Sequence, residues 1–127
     1  MGTLANALNA IKVAETKGKP ATTVRPASKE VRALLEILKT EGYIESFEHT
    51  TNIPGGEFNI ALNGKINGAN VIRPRFPVKN ADIEKYESRF LPAKGVGLLV
   101  ISTSKGMMTH AKAKELKIGG RLMAFVY

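Results

Sequence analysis

Apolar residues near the start of the chain recur at intervals of three and four, the spacing of one helix face. The positions are Leu4, Ala7, Leu8, Ile11 and Ala14. Gly18 is placed to end this helix, and "ATTVR" then predicts a short strand because it is rich in β-branched residues. Ser28 predicts the N-cap of a second helix, which Gly42 ends. Its apolar stripe consists of Val31, Leu34, Leu35 and Leu38.

The following residues alternate between apolar and polar, as in strands with one buried face. "YIESFEHT" and "EFNIALNG" both alternate approximately, and "TNIPGG" joins them, which predicts a β-hairpin. The Asn- and Gly-rich segment "NGKINGAN" marks the predicted boundary between two parts of the chain. We therefore expect an N-terminal part at residues 1–63 with the element order α-β-α-β-β.

The remaining residues, 64–127, predict a β-rich part with the order β-α-β-α-β. "VIRPRFPV" has extended character, but its two prolines lack a ladder donor, so we expect an edge or irregular strand. Asn80 or Asp82 is expected to cap a short helix, and "GVGLLVIS" to form the most buried strand. Thr109 predicts the N-cap of a last helix. Gly119 and Gly120 predict a turn, and "RLMAFVY" after them predicts the final strand. The fold class is α+β, in two small, tightly packed parts.

Composition limits the classes of function. The 127 residues are 43% hydrophobic, enough to bury a core. The absence of cysteine excludes a disulfide framework, a thiolate nucleophile and a zinc knuckle. No apolar run approaches the ~20 residues that cross a bilayer, so we expect no membrane partner. The net charge of +8 favours a polyanion, nucleic acid ahead of an acidic membrane surface, with plain solubility as the alternative.

The positive charge is unevenly distributed along the chain. From Ser88 to Tyr127, seven basic residues stand against one acidic residue, Glu115, for a net charge of +6. The basic residues are Arg89, Lys94, Lys105, Lys112, Lys114, Lys117 and Arg121. Such an uneven distribution favours a binding face over general solubility, and it places that face in the second part.

The most buried predicted strand runs into a polar turn made of Ser102, Thr103, Ser104, Lys105 and Gly106. Each of the three hydroxyls can donate and accept, so each can meet a phosphate, a ribose 2′-OH or a base edge. The lysine supplies charge for the RNA backbone, and the glycine permits close approach. The strand behind would hold the cluster rigid and lower the entropy lost on binding. The turn therefore favours RNA binding, although an ordinary Ser/Thr-rich turn is the structural alternative.

Catalytic explanations fit these residues less well. Ser102 and Lys105 have the Ser-x-x-Lys spacing of penicillin-binding proteins, but that motif opens a helix and needs partner motifs that are absent. The glycines here lack Walker spacing, although Gly106 and the next helix could form a general anion nest. His49 and His110 are expected to be solvated or structural. We expect no enzyme activity, metal, cofactor or small-molecule substrate.

Several segments resemble a known family. "ISTSKGMMTHAKAKELKIGGRLMAFVY" is similar to the C-terminal signature of the universal small-subunit ribosomal protein S-eight family, whose eukaryotic members are called S-fifteen-a. "LANALNAI", "RPASKEV" and "LLEILKTEGYI" resemble earlier segments of the family, so the resemblance covers nearly the whole chain. "VIRPRF" and "FLPAKGVGLLVISTSKGMM" look like the archaeal and eukaryotic branch.

The resemblance implies a cytoplasmic protein of the small ribosomal subunit. It implies binding to a helix in the central domain of the small-subunit ribosomal RNA, early in assembly, beside neighbouring ribosomal proteins. Through it, RNA contacts are expected at Ser102, Thr103, Ser104, Lys105, Gly106, Gly119, Gly120, Lys29 and Tyr86. We add the basic residues Arg32, Arg73, Arg75 and Arg121.

One position departs from the family pattern. The first helix of the family often carries Asn where this chain has Val13. Two other functions stay open. One is an RNA-binding translational regulator that acts off the ribosome, and the other is a small enzyme that uses the Ser-Lys pair.

Overall fold

The computed structural model describes residues 3–25, 27–72, 75–93 and 95–127. The chain divides into two compact units, Met1–Gly68 and Ala69–Tyr127. Both units combine helices with antiparallel strands, which confirms the predicted α+β class. The change of unit falls inside "NGKINGAN", whereas the assignment of two domains at 1–63 and 64–127 stays a prediction.

The described residues of the first unit form two helices and a three-stranded antiparallel sheet with the order β1-β3-β2. In chain order the elements are α1 (Thr3–Thr16), β1 (Ala21–Val24), α2 (Lys29–Thr40), β2 (Ile44–Thr50) and β3 (Glu57–Leu62). Strands β2 and β3 pair as the expected hairpin. The predicted order α-β-α-β-β is confirmed.

The ends of α2 show why its sequence forms a helix there. Ser28 is the N-cap, and its hydroxyl accepts a hydrogen bond from the backbone N–H of Val31 at 3.2 Å. At the other end Gly42 has a φ of 82°, and the N–H of Tyr43 donates to the Leu38 carbonyl at 2.8 Å, the pattern of a Schellman motif. The predicted apolar stripe, Val31, Leu34, Leu35 and Leu38, is fully buried.

The described residues of the second unit form two helices and a five-stranded antiparallel sheet. The strand order is β4-β8-β6-β7, and β5 also pairs with β8. The elements are β4 (Ala69–Val71), β5 (Pro77–Val78), α3 (Ile83–Phe90), β6 (Leu98–Thr103), β7 (Gly106–Thr109), α4 (His110–Leu116) and β8 (Gly120–Val126). One turn of 3₁₀ helix, Asn80–Asp82, precedes α3.

Two strands differ from the predicted order of the second unit. "VIRPRFPV" contributes two short strands, β4 and β5, on one side of β8, so the predicted edge position is confirmed. Strand β7 was not expected at all. Its sequence, Gly-Met-Met-Thr, contains one β-branched residue and leads directly into a helix cap, so only its pairing with β6 identifies it as a strand.

The prediction that β6 is the most buried strand is confirmed. Residues Leu98 to Ile101 are exposed by 3% or less. Thr109 caps α4 as predicted, since its hydroxyl accepts a hydrogen bond from the N–H of Lys112 at 3.2 Å. The core around these elements consists of Ile72, Val78, Ile83, Leu91, Leu99, Ile101, Met108, Ala113 and Leu122.

The predicted capping of α3 by Asn80 or Asp82 is wrong. Asp82 occupies the N-cap position of α3, but its side chain makes no capping hydrogen bond. The amide of Asn80 instead donates to the carbonyls of Ala113 and Ile118, both at 3.1 Å. The first carbonyl lies in the last turn of α4, where it also accepts from the N–H of Ile118 at 3.1 Å, and the second lies just beyond the helix. Asn80 therefore stabilises the end of α4 rather than the start of α3.

Candidate nucleic-acid interface

The Ser-Thr-Ser-Lys-Gly sequence forms the tip of the β6–β7 hairpin. Ser102 and Thr103 are the last residues of β6, and Thr103 is the pairing partner of Gly106 at the start of β7. Gly106 has a φ of 107°, whereas Ser104 and Lys105 do not have positive φ. This excludes a type I′ turn for the two loop residues, and Gly106, which closes the loop opposite Thr103, takes a positive φ that glycine adopts readily. The alternative of an anion nest made by Gly106 and the next helix stays a prediction, and strand β7 lies between the two.

The hydroxyl of Thr103 holds this tip together. It accepts a hydrogen bond from the N–H of Lys105 at 3.1 Å and donates to the carbonyl of Gly106 at 2.8 Å. Its donor and one acceptor position are therefore used within the hairpin. Thr103 therefore fixes the turn, and its predicted RNA contact stays a prediction.

Ser104 and Lys105 are exposed at the tip of the hairpin. Their side chains make no hydrogen bond or ion pair with any residue that the structure describes. A free hydroxyl and a free ammonium group thus stand side by side on a loop that is fixed by Thr103 and by the buried strand behind it. Such a loop can approach a nucleic acid without losing much conformational freedom.

A row of side chains crosses the sheet from this hairpin to its edge. Ser102 is paired with Met107 on one side and with Arg121 on the other, and Arg121 is paired with Pro77. Residues directly opposite each other in antiparallel strands project to the same face. The guanidinium of Arg121 also donates to the carbonyl of Arg75 at 3.3 Å. The structure therefore brings Ser102, Arg121 and Arg75 to one region beside the hairpin tip.

Gly119 and Gly120 act by close packing and do not form the predicted turn. Neither has a positive φ, and the left-handed residue that ends α4 is Lys117, with a φ of 57°. A Cβ atom on Gly120 would collide with the carbonyl oxygen of Ser102, and one on Gly119 with the carbonyl oxygen of Val78. The two glycines let β8 begin tightly against its neighbours, directly beside the polar turn.

Tyr86 lies on α3, half-buried against the core of the second unit. Its ring centroid is 5.0 Å from that of Phe76, which follows Arg75 in the chain. The ammonium group of Lys85 lies 6.0 Å from the Tyr86 ring centroid. The predicted RNA contact of Tyr86 stays a prediction.

The first-unit candidates lie on the exposed side of α2. Lys29 is exposed in the first turn, and the guanidinium of Arg32 is 3.5 Å from the carboxylate of Glu36. A shallow groove beside this side of α2 is lined by Arg32, Glu36, Lys39, Thr40, Phe47 and His49. Val13 on α1 is 41% exposed, so the position that departs from the family presents an apolar side chain to solvent. Arg73 lies outside the described residues.

The two histidines take different positions. His110 is nearly buried, and its Nδ1 accepts a hydrogen bond from the N–H of Leu99 at 3.0 Å, which supports the structural interpretation. Its Nε2 is 3.5 Å from the carboxylate of Glu87, which also pairs with Lys114. Sequence reasoning missed this carboxylate because it comes from another helix. His49 is exposed on β2, with its ring against Phe58.

Nothing in the described part of the chain assembles the alternative sites. No group of three or more His, Asp or Glu side chains there is placed to hold a metal ion. None of the described helices is long and apolar enough to cross a membrane. Ser102 lies in a strand and Lys105 in a hairpin loop, so the Ser-x-x-Lys spacing does not open a helix as a serine nucleophile of that type requires.

The similarity of this chain to known proteins identifies its family. The family model of ribosomal protein S8 matches residues 2–127. The chain belongs to the ribosomal protein S8 family. It is similar to proteins of Thermoplasma volcanium and Thermoplasma acidophilum, each named small ribosomal subunit protein uS8. Both are 46% identical over 125 residues, which cover 98% of this chain and 97% of each relative.

A third relative extends the similarity beyond that genus. The small ribosomal subunit protein uS8 of Methanocorpusculum labreanum is 46% identical over 124 residues, which cover 98% of this chain and 95% of the relative. These matches confirm the family resemblance read from the sequence. The S8 family consists of ribosomal proteins, and this confirms the expectation that the chain is not an enzyme.

Proposed function

We propose that this chain is a structural constituent of the small ribosomal subunit that binds a helix in the central domain of the small-subunit ribosomal RNA. There it supports subunit assembly and translation in the cytoplasm, beside neighbouring ribosomal proteins. Membership in the S8 family supports the ribosomal role. The observation that carries the RNA site is the hairpin tip, with Ser104 and Lys105 exposed on a loop braced by Thr103.

The shape of A-form RNA suits this hairpin. The minor groove of RNA is wide and shallow and displays 2′-hydroxyls, so short polar side chains on a protruding loop can reach it. Ser104 can both donate to and accept from a 2′-OH or a base edge. Lys105 neutralises a phosphate, and Arg121 and Arg75 add positive charge beside Ser102. The site combines a shape-dependent contact with a charge-dependent one.

A binding experiment separates these two contributions. Fluorescence anisotropy would compare the chain and its variants on a central-domain RNA helix with an internal loop, on a regular RNA duplex and on a DNA duplex. Lys105→Ala should weaken binding to both RNAs to a similar extent and reduce the slope of log K against log salt by about one. Lys17→Ala, which removes an exposed lysine of the first unit, is the matched control. An unchanged salt slope would contradict a phosphate contact by Lys105.

The ribosomal role has its own test. The chain should co-sediment with small subunits at moderate salt, and Lys105→Ala should lower the bound fraction. Loss from subunits while binding to a messenger RNA persists would instead support the off-ribosome regulator. Acylation of Ser102 or Ser104 by a serine-reactive probe would contradict a purely structural role.

A further inference from the structure

The segment that ends the first unit contains two asparagines that are each followed by glycine. They are Asn63-Gly64 and Asn67-Gly68, and no other asparagine of the chain has glycine after it. In such a dipeptide the backbone nitrogen of the glycine can attack the side-chain carbonyl of the asparagine, because glycine has no side chain to obstruct the approach. The two dipeptides are chemically identical, so a difference in their reactivity reports on the fold.

The fold engages both side-chain polar atoms of Asn63. Its Nδ2 donates to the carbonyl of Gly42 at 3.0 Å, and its Oδ1 accepts from the N–H of Lys65 at 3.2 Å. The second bond forms an Asx-turn, in which the side-chain oxygen engages the nitrogen of Lys65 rather than that of Gly64. Attack on this carbonyl and loss of the side-chain nitrogen would break both hydrogen bonds.

The nitrogen that would attack Asn63 is engaged as well. The N–H of Gly64 donates to Oε1 of Glu15 at 3.3 Å, and the N–H of Ile66 donates to Oε2 of the same carboxylate at 3.0 Å. The attack requires the Gly64 nitrogen to lose its proton. A carboxylate that accepts this N–H opposes that loss, because it binds the proton and disfavours a second negative charge beside it.

The second dipeptide lacks these restraints. Asn67 is exposed, and its side chain makes no hydrogen bond or ion pair with any residue that the structure describes. The N–H of Gly68 likewise donates to no acceptor among the described residues. Gly68 itself is buried, so the exposed side chain of Asn67 is the part that moves to bring the two atoms together. Its exposure also admits the water that completes the reaction.

We propose that Asn67 is a site of spontaneous deamidation and that the fold protects Asn63 from the same reaction. The nitrogen of Gly68 gives its proton to a base in solution and forms a bond to Cγ of Asn67. The bond from Cγ to Nδ2 breaks, and the side-chain nitrogen takes up a proton and leaves as ammonia. Water then opens the resulting succinimide at either carbonyl, which yields aspartate or isoaspartate. The reaction consumes one water and releases one ammonia, without an oxidant, a reductant or an enzyme.

The reaction would change the chain directly before an edge strand of the second sheet. Both products carry a carboxylate in place of the neutral amide, and isoaspartate also adds a methylene group to the backbone. Strand β4 begins two residues later at Ala69, which pairs with Val126 of β8. Deamidation therefore places a new negative charge and a longer backbone beside this pairing.

The experiment follows both asparagines in the same molecules. The full chain is incubated in mildly alkaline buffer, which promotes loss of the amide proton, and samples are digested with trypsin over time. Trypsin cleaves after Lys65, so the two dipeptides fall on different peptides. Mass spectrometry measures the conversion of each asparagine to an acid, and an isoaspartate methyltransferase with S-adenosylmethionine labels the isoaspartate. The comparison includes the chain in urea and the variant Asn67→Gln.

The folded chain should distinguish the two asparagines. Asn67 should convert at least about tenfold faster than Asn63, because the Asn63 dipeptide would have to break three hydrogen bonds. In urea the two rates should become similar, since the hydrogen bonds that protect Asn63 are lost. Asn67→Gln should remove most of the isoaspartate label from the folded chain, because ring closure is much slower from the longer side chain.

The variant Glu15→Gln tests the cause of the protection. It replaces the carboxylate beside the N–H of Gly64 with a neutral group of the same size, so Asn63 should react about fivefold faster while Asn67 is unaffected. An unchanged rate for Asn63 in the folded variant would overturn this account of its protection. If thermal unfolding shows that the variant is not folded, the comparison of the natural chain in buffer and in urea decides the question.

Two results for the natural chain would overturn the proposal. One is equal conversion of Asn63 and Asn67 in the folded chain. The other is an Asn67 that stays an amide in the folded chain over the time that converts it in urea. Neither result depends on RNA binding, so the proposed function stands or fails separately.

Discussion

The two units of this chain use aromatic side chains and charge in opposite ways. The first unit, Met1–Gly68, has eight basic and seven acidic residues, and it buries Phe58 almost completely. The second unit, Ala69–Tyr127, has eleven basic and four acidic residues, and its five aromatic rings lie around an aliphatic core. The first unit is therefore nearly neutral and buries an aromatic ring in its core. The second unit carries the excess of positive charge, which suits a polyanionic partner.

Substitution of aromatic residues should show this contrast most strongly. Phe58→Ala should destabilise the chain by about 3–5 kcal/mol, because it empties a buried ring position. Phe125→Ala should cost clearly less, since its ring is half-buried at the edge of the second unit. Urea denaturation followed by circular dichroism would measure both. Equal losses of stability would mean that the ring of Phe125 contributes as much to the packing of its unit as the buried ring of Phe58 does.

Glycine substitution tests how tightly the second unit is built around its polar turn. Gly120→Ala should cost about 2–4 kcal/mol, because the added Cβ meets the backbone oxygen of Ser102 and neither strand can shift freely. Gly64→Ala in the first unit is the control, where nothing lies near the added atom but φ is 74°. Its cost should be about 1 kcal/mol. The comparison fails if the two variants unfold at the same urea concentration.

Substitutions of the neighbouring residues Ser104 and Thr103 should affect different properties, RNA binding in the first case and stability in the second. Ser104→Ala should leave stability unchanged and weaken binding to the internal-loop RNA by about 1–3 kcal/mol, with little dependence on salt. Thr103→Val should lower stability by about 1 kcal/mol, because it removes two hydrogen bonds that fix the turn. Isothermal titration and thermal unfolding would measure the two effects. A stability loss for Ser104→Ala would contradict its assignment as a free surface hydroxyl.

The end of α4 gives the smallest expected effect. Lys117 has a φ of 57°, which strains a residue with a Cβ, whereas the corresponding positions of α1 and α2 are Gly18 and Gly42. Lys117→Gly should therefore raise the stability of the chain by about 0.5–1 kcal/mol. Thermal unfolding measures the change, with Lys112→Gly as a destabilising control within the helix. A decrease for Lys117→Gly would show that interactions of the lysine side chain outweigh the backbone strain.

Local signals predicted most elements of the fold. Ser28 and Thr109 make the expected caps, and Gly18 and Gly42 take left-handed conformations at helix ends. These features depend on residues within one or two turns of each other, so a sequence contains the information directly. The prolines of "VIRPRFPV" likewise predicted an edge position, because a missing donor is a property of the residue itself.

Other features depended on partners far away in the sequence. Strand β7 exists because β6 pairs with it, and Asn80 bonds to carbonyls at the end of α4 instead of capping α3. Gly119 and Gly120, at the start of β8, were expected to make a turn, but the left-handed residue after α4 is Lys117. In each case the local preference was weak or shared by several positions, and packing between elements chose among them.

For the candidate site, the sequence by itself determined the chemistry, and the tertiary structure decided the arrangement. The hydroxyls, the cations and the positive charge of the second unit are properties of composition and order, and they pointed to RNA before any fold was known. Only the paired strands show that Thr103 fixes the turn while Ser104 and Lys105 stay exposed, and that Arg121 lies opposite Ser102. Antiparallel pairing joins residues distant in the chain, so Ser102, Arg121 and the backbone of Arg75 become neighbours through contacts that no local pattern encodes.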